Sequence, residues 1–228
     1  MSSNFSLSYH VDIVMCIDAT GSMGGLIHKV KENASHLHSD LFQLMKKKGK
    51  NIDELRTRII VFRDYDADGV ENAMLATDFY RLPEENAEFQ AALDCIEAKG
   101  GGDDPEDGLE ALAYAMKSDW AKEGQKKRQI IVVWSDEGTH PLGVGPKVAM
   151  EGYPSKMPRD FDQLTQMWDD DEIMNYSAKR LLLFAPESSG WNEISSTWDQ
   201  VIHFPSEAGN GLDEINYEAI LSEITNTI

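Results

Sequence analysis

Short apolar runs alternate with helical stripes along this chain. Val11-Asp12-Ile13-Val14-Met15-Cys16-Ile17 is brief and nearly continuous, the pattern of a strand buried on both faces. After a Gly/Ser segment, Met23, Leu26, Ile27, Val30, Ala34, Leu37, Leu41, Leu44 and Met45 recur at spacings that put one apolar stripe on a helix. Lysines and Gly49 close that helix. Arg58-Ile59-Ile60-Val61-Phe62 predicts a second strand, and residues 73–82 an antiparallel edge hairpin with it. Glu84 to Ala98 reads as a helix. Pro105, Glu106 and Asp107 suit the first turn of the next, with Asp104 as its cap. Further strands are expected at Gln129–Trp134, Arg180–Ala185 and Gln200–Phe204. Helices are expected at 160–176, 191–198 and 212–227, and Gly138 to Pro158 is a long loop.

Strands alternating with helices, interrupted by one hairpin, predict an α/β fold. The sheet should be open, doubly wound and mostly parallel, with one antiparallel edge hairpin and helices on both faces. With no repeat, linker or low-complexity tract, residues 1–228 read as a single domain whose core starts near residue 10.

Charge narrows the partners. Lys+Arg is 21 and Asp+Glu is 40, a net charge of −19. Nucleic acid and anionic membrane surfaces both select a basic footprint, so neither is expected. Lys46-Lys47-Lys48 and Lys126-Lys127-Arg128 read as solvated helix ends. Cys16 and Cys95, the two cysteines, read as small buried hydrophobes rather than a disulfide framework. With no basic start plus apolar stretch at the N-terminus and no long apolar window, a cytoplasmic address is the expectation.

In an open α/β sheet, ligands sit outside the carboxyl ends of the strands, near the point where strand order reverses. Polar residues at the strand ends are therefore the candidates. Strand one runs into Asp18-Ala19-Thr20-Gly21-Ser22, strand three into Ser135-Asp136, and the Gly100-to-Asp103 loop falls between them. Asp18, Asp103 and Asp136 offer carboxylates, while Thr20 and Ser22 offer hydroxyls. Every donor is a hard oxygen, which suits Mg²⁺, with Mn²⁺ or Ca²⁺ as alternatives. Without a cation, three clustered carboxylates would repel one another.

These segments together resemble the von Willebrand factor type A domain. Asp18-Ala19-Thr20-Gly21-Ser22-Met23 is similar to the Asp-x-Thr-Gly-Ser-Met form of that family's metal motif. Phe62-Arg63-Asp64-Tyr65 and Gly100-Gly101-Gly102-Asp103-Asp104-Pro105-Glu106-Asp107 resemble segments of a mainly intracellular branch. The resemblance implies a Rossmann-like fold and a metal-ion-dependent adhesion site built from Asp18, Thr20, Ser22, Asp103 and Asp136. It also implies a protein partner that supplies an oxygen to the metal, with a kinase, ATPase or phosphatase of the same system as candidate. The chain departs from the pattern in three places. Thr20 replaces a common Ser, Asp103 stands where integrin-like members have Thr, and Glu137-Gly138-Thr139-His140-Pro141 replaces Ala-Pro-Pro-His.

The leading reading is a metal-dependent protein-binding adaptor, not an enzyme, with Val144, Met150, Tyr153 and Met157 of the long loop as contact candidates. One alternative is a structural subunit whose metal staples loops. Another is a phosphatase-like hydrolase, which would need an acidic residue where Thr20 stands. Asp64, Asp66 and Asp68 read as a solvated acidic turn, Asp169-Asp170-Asp171 as an exposed helix face, and His140 as a loop residue.

Overall fold

The structure is a computed structural model and describes residues 8–102, 105–123, 126–206 and 217–227. One sheet contains β1 (Ser8–Asp18), β2 (Asn51–Phe62), β3 (Met74–Ala76), β4 (Tyr80–Leu82), β5 (Lys126–Trp134), β6 (Lys179–Pro186) and β7 (Val201–Ser206). Its order is β3-β2-β1-β5-β6-β7, with β4 also pairing with β2. Pairs among β2, β1, β5, β6 and β7 are parallel, whereas β3 and β4 run antiparallel to β2. This is the open, mostly parallel sheet that the sequence pattern predicts. The chain passes from β1 to β2 on one side and later fills β5, β6 and β7 on the other. Strand order therefore reverses between β1 and β5.

The pleat divides the core in two, because successive side chains point to opposite faces. Val11, Ile13, Met15 and Ile17 of β1 join one cluster. They pack with α1 (Ile27–Lys47), α4 (Asn86–Asp94) and α8 (Tyr217–Thr227) through Val30, Leu37, Leu41, Phe89, Leu93, Leu221 and Ile224. Val14 and Cys16 face the other way. There they meet α5 (Gly108–Met116), α6 (Phe161–Asp169) and α7 (Ser189–Thr197) through Leu109, Leu112, Trp168 and Trp191. A fully buried Leu or Ile side chain contributes about 1.5–3 kcal/mol, so double-sided burial of four central strands dominates the fold's stability. Asp12, a buried polar residue within the apolar run of β1, takes the Arg56 guanidinium in a fork at 2.7–2.8 Å and the Ala121 amide at 2.7 Å.

Several boundaries differ from the sequence reading. Strand β2 begins at Asn51 rather than Arg58, because polar Glu54, Arg56 and Thr57 pair with β1 or β4 while Ile52 and Leu55 feed the core. Helix α1 starts at Ile27, after a 3-10 turn over Gly21–Gly25, since Gly24 and Gly25 are poor helix formers. The expected helix over 84–98 is confined to Asn86–Asp94. Helix α6 ends at Asp169, and Asp170 and Asp171 instead cap a turn by accepting from the Glu172 and Tyr176 amides. Lys126-Lys127-Arg128 opens β5 instead of ending a helix. Cys95 is exposed at the end of α4, whereas Cys16 is buried as expected. The start of the last helix, expected from 212, lies outside the described residues before Tyr217.

Candidate metal centre

The carboxyl ends of β1 and β5 lie side by side at the reversal point, so Asp18 and Asp136 arrive from neighbouring strands. Asp18 and Asp136 are fully buried and Thr20 nearly so, whereas Ser22 is exposed. Asp18 Oδ1 accepts from the Thr20 amide at 3.0 Å and from Thr20 Oγ1 at 2.7 Å. Its Oδ2 accepts from Ser135 Oγ at 2.7 Å. Ser22 Oγ donates to Asp136 Oδ1 at 3.0 Å and lies 3.1 Å from Thr20 Oγ1. Four of the five residues expected at the site are thus brought into one polar chain, hydrogen-bonded between Asp18 and Thr20 and between Ser22 and Asp136. The fifth, Asp103, lies outside the described residues, as does its neighbour Asp104. Ser22 does not cap a helix through its side chain; its hydroxyl is engaged by Asp136 instead.

Proton accounting indicates what this chain can hold. A hydroxyl has one proton and an ionised carboxylate only accepts. If Thr20 donates to Asp18 and Ser22 to Asp136, no proton remains between the two hydroxyl oxygens. Two sets of lone pairs then face one another at 3.1 Å. Adjacent oxygen ligands of Mg²⁺ or Ca²⁺ lie about 3 Å apart, so the spacing accommodates either ion, and the all-oxygen donor set fits a hard one. Among the described residues, no three His, Cys, Asp or Glu side chains meet at metal-holding distance. An ion here would rest on the hydroxyls and reach carboxylates partly through water.

Burial raises the Asp18 carboxyl to about 6, opposed by its Thr20 and Ser135 hydrogen bonds and reinforced by the Asp136 charge. Glu106 is pushed further, to about 9, by burial and then by the carboxylates of Asp18, Asp64, Asp107 and Asp68. The sequence reading placed Glu106 in the first turn of a helix. Instead α5 begins at Gly108 after Asp107, and Glu106 pairs with the segment following Asp136. The Glu106 amide donates to Gly138 O at 3.0 Å and its carbonyl accepts from the His140 amide at 2.7 Å. Pro105 therefore precedes the helix rather than starting it.

The acidic turn is only partly solvated, since Asp66 is exposed as expected but its neighbours turn inward. Asp64 is buried and caps α2 (Tyr65–Asp68) by accepting from the Asp66 and Ala67 amides. A second short helix, α3 (Val70–Ala73), follows before β3. Asp68 Oδ2 accepts from the Gly101 amide at 2.9 Å. His140 Nε2 approaches Asp64 Oδ2 at 3.8 Å. The glycine loop permits these approaches. Gly100 has φ +75°, and a Cβ there would sit 1.8 Å from Asp68 Oδ1. Gly101 has φ +77°, and its Cβ would meet Glu106 Oε1 at 2.9 Å and Thr20 Cβ at 3.1 Å.

Arg63 is buried without a carboxylate partner on its hydrogen bonds. Its Nε donates to Ala19 O and Lys99 O, Nη1 to Asn72 O and Nη2 to Glu97 O, all within 2.9–3.0 Å. One guanidinium thereby ties the loop after β1 to the loops on either side. Lys147 does the same for the long loop. It is buried in ion pairs with Asp107 and Glu110, the latter at 2.7 Å. Burial works against its charge, but the two carboxylates outweigh it and hold the ammonium above its usual range.

Of the loop contacts expected at the rim, Val144 is exposed and Met150 is part-buried. Tyr153 is also part-buried, donates to Glu110 Oε1 at 3.1 Å and stands edge-on to Tyr65. Met157 packs against the α5–α6 side of the core. Sequence reasoning missed Ser135, Glu106, Arg63 and Lys147 as site-building residues. Ser135 and Glu106 carried a signal, since both stand beside residues already selected, whereas Lys147 sits 40 residues from Asp107 in a loop without periodicity.

Residues 12–124 match a family model described as von Willebrand factor A domain. Two crystal structures of the pilus adhesin SpaC from Lactobacillus rhamnosus GG, one in an open conformation, share the fold with TM-scores of 0.56 and 0.57. They are 12% and 11% identical over 98% of this chain, which spans 30% and 31% of their length. No curated protein matches the chain. No helix among the described residues is long and apolar enough to cross a membrane.

Proposed function

The chain belongs to the von Willebrand factor A domain family, and we propose that it is a metal-dependent protein-binding module. The observation that carries this reading is the chain Asp18–Thr20–Ser22–Asp136 at the reversal point, with two hydroxyl oxygens facing each other at 3.1 Å. Mg²⁺ would be held by Thr20 and Ser22, with Asp18 and Asp136 fixing those hydroxyls and balancing the charge. Asp103, on the adjoining loop, belongs to the same proposed ligand set. When bound, the ion supplies a Lewis-acidic position for an oxygen of the partner, such as a carboxylate side chain. The residues around it orient that ion and set which surface can approach. Exposed Val144 and half-buried Met150 are the proposed rim contacts.

Arg63 and Lys147 already hold the surrounding loops by their own hydrogen bonds, which favours binding over a purely stapling role for the metal. A non-catalytic role is supported by Thr20, a residue unable to serve as the general acid that a phosphatase-like site needs two positions after Asp18. An adaptor role in a cytoplasmic complex is part of the same proposal.

Mg²⁺ at a hundredfold excess over Kd should stabilise the fold by about 2.7 kcal/mol. At this chain length that corresponds to a Tm increase of about 5–10 °C. Asp18→Asn should lose the increase. An equal Mg²⁺-induced shift in wild type and variant would refute the metal site. Mg²⁺-dependent capture of protein partners, reversed by EDTA, tests the binding role.

A further inference from the structure

Glu106 is 3% exposed, and its Oε2 has no hydrogen-bond partner among the described residues. An unsatisfied buried carboxylate oxygen is costly, and more so beside other carboxylates. The backbone leaves it little freedom to withdraw. Its amide and carbonyl are both bonded to the segment that follows Asp136, so the residue is delivered to the same sheet edge as Asp18 and Asp136. Across Gly101, a Cβ would lie 2.9 Å from Glu106 Oε1 and 3.1–3.3 Å from the Thr20 Cβ and methyl, so the Glu106 carboxyl stands beside the Thr20 side chain, on the side away from its hydroxyl. An apolar or amide side chain in this position would avoid the cost. A glutamate is explained if a cation shares the space.

The geometry points to Glu106 as a carboxylate that holds the ion of the Thr20–Ser22 site, directly or through one of its waters. This assignment rests on the metal-site reading above and adds a residue to it. The ion would balance the charge that Glu106 adds to Asp18 and Asp136, and it would give Oε2 the partner that the protein does not.

The experiment compares wild type, Asp18→Asn and Glu106→Gln by Mn²⁺ titration followed by electron paramagnetic resonance, and by melting in Mg²⁺ and in EDTA. Glu106→Gln is expected to bind Mn²⁺ about 10- to 100-fold more weakly than wild type, yet to melt no lower than wild type in EDTA, because the amide keeps the shape of a side chain whose Oε2 has no hydrogen bond to lose. Binding within twofold of wild type overturns the assignment. Weakened binding with a lowered melting point in EDTA also overturns it, since that marks a structural prop. Should Glu106→Gln not fold, Glu106→Asp decides by the same two criteria, because it retracts the carboxylate by one methylene. If wild type and Asp18→Asn respond alike, the metal site itself fails. Loss in Asp18→Asn with wild-type behaviour in Glu106→Gln removes the Glu106 assignment alone.

Discussion

Ser135 shows how much a single hydroxyl contributes at this site. It is fully buried, and it supplies the hydrogen bond to the Asp18 oxygen that Thr20 does not reach. Ser135→Ala leaves that oxygen in a buried pocket without its donor, which costs about 1–3 kcal/mol. The Asp18 carboxyl, already at about 6, should rise further, because one of the interactions opposing burial is gone. The expected result is a Tm lowered by about 2–10 °C in EDTA, with Mg²⁺ recovering part of the loss. An unchanged Tm would show that solvent replaces the Ser135 donor.

At the scale of elements, Lys147 fastens the long loop to the start of α5. The ammonium lies between Asp107 and Glu110, and Tyr153 adds its hydroxyl to the same Glu110 oxygen. Lys147→Met keeps the side-chain volume but leaves two buried carboxylates without their cation. Breaking a buried pair in this way costs about 3–5 kcal/mol, a fall in Tm on the order of 10 °C. Limited proteolysis should then cut faster between residues 138 and 158 than in wild type. Equal cleavage rates would mean that the loop is held by its other contacts, such as the Tyr65–Tyr153 edge.

For the whole molecule, the raised carboxyls set a pH dependence. Asp18 and Glu106 retain protons in the folded state up to about 6 and about 9, against ordinary values of 3.8 and 4.5. Between those limits the folded state binds more protons than the unfolded chain, so stability falls as pH rises. A net charge of −19 works in the same direction by self-repulsion. In EDTA, Tm should therefore decline from pH 5 to pH 9. Saturating Mg²⁺ favours the ionised carboxylates and should flatten the decline. A Tm in EDTA that stays level or rises over this range would contradict the charge arrangement.

The sequence by itself determined the elements whose signal is periodic. Nearly continuous apolar runs at 11–17, 130–134 and 181–185 can be buried only on both faces, which forces a parallel sheet covered by helices. Asp18, Thr20, Ser22 and Asp136 were legible because strand ends are where such sheets place ligands. Only the tertiary structure decided the fate of residues whose neighbours are distant. Polar Asn51–Thr57 became strand because β1 and β4 pair with it. Asp64 and Asp68 turned inward because the glycine loop left room for their carboxylates. Glu106 left the helix because the chain beyond Asp136 took its backbone hydrogen bonds. The physical reason is the same each time. Local pattern records which face of an element is apolar, but whether a carboxylate is solvated or buried depends on partners that the chain brings close only when it folds.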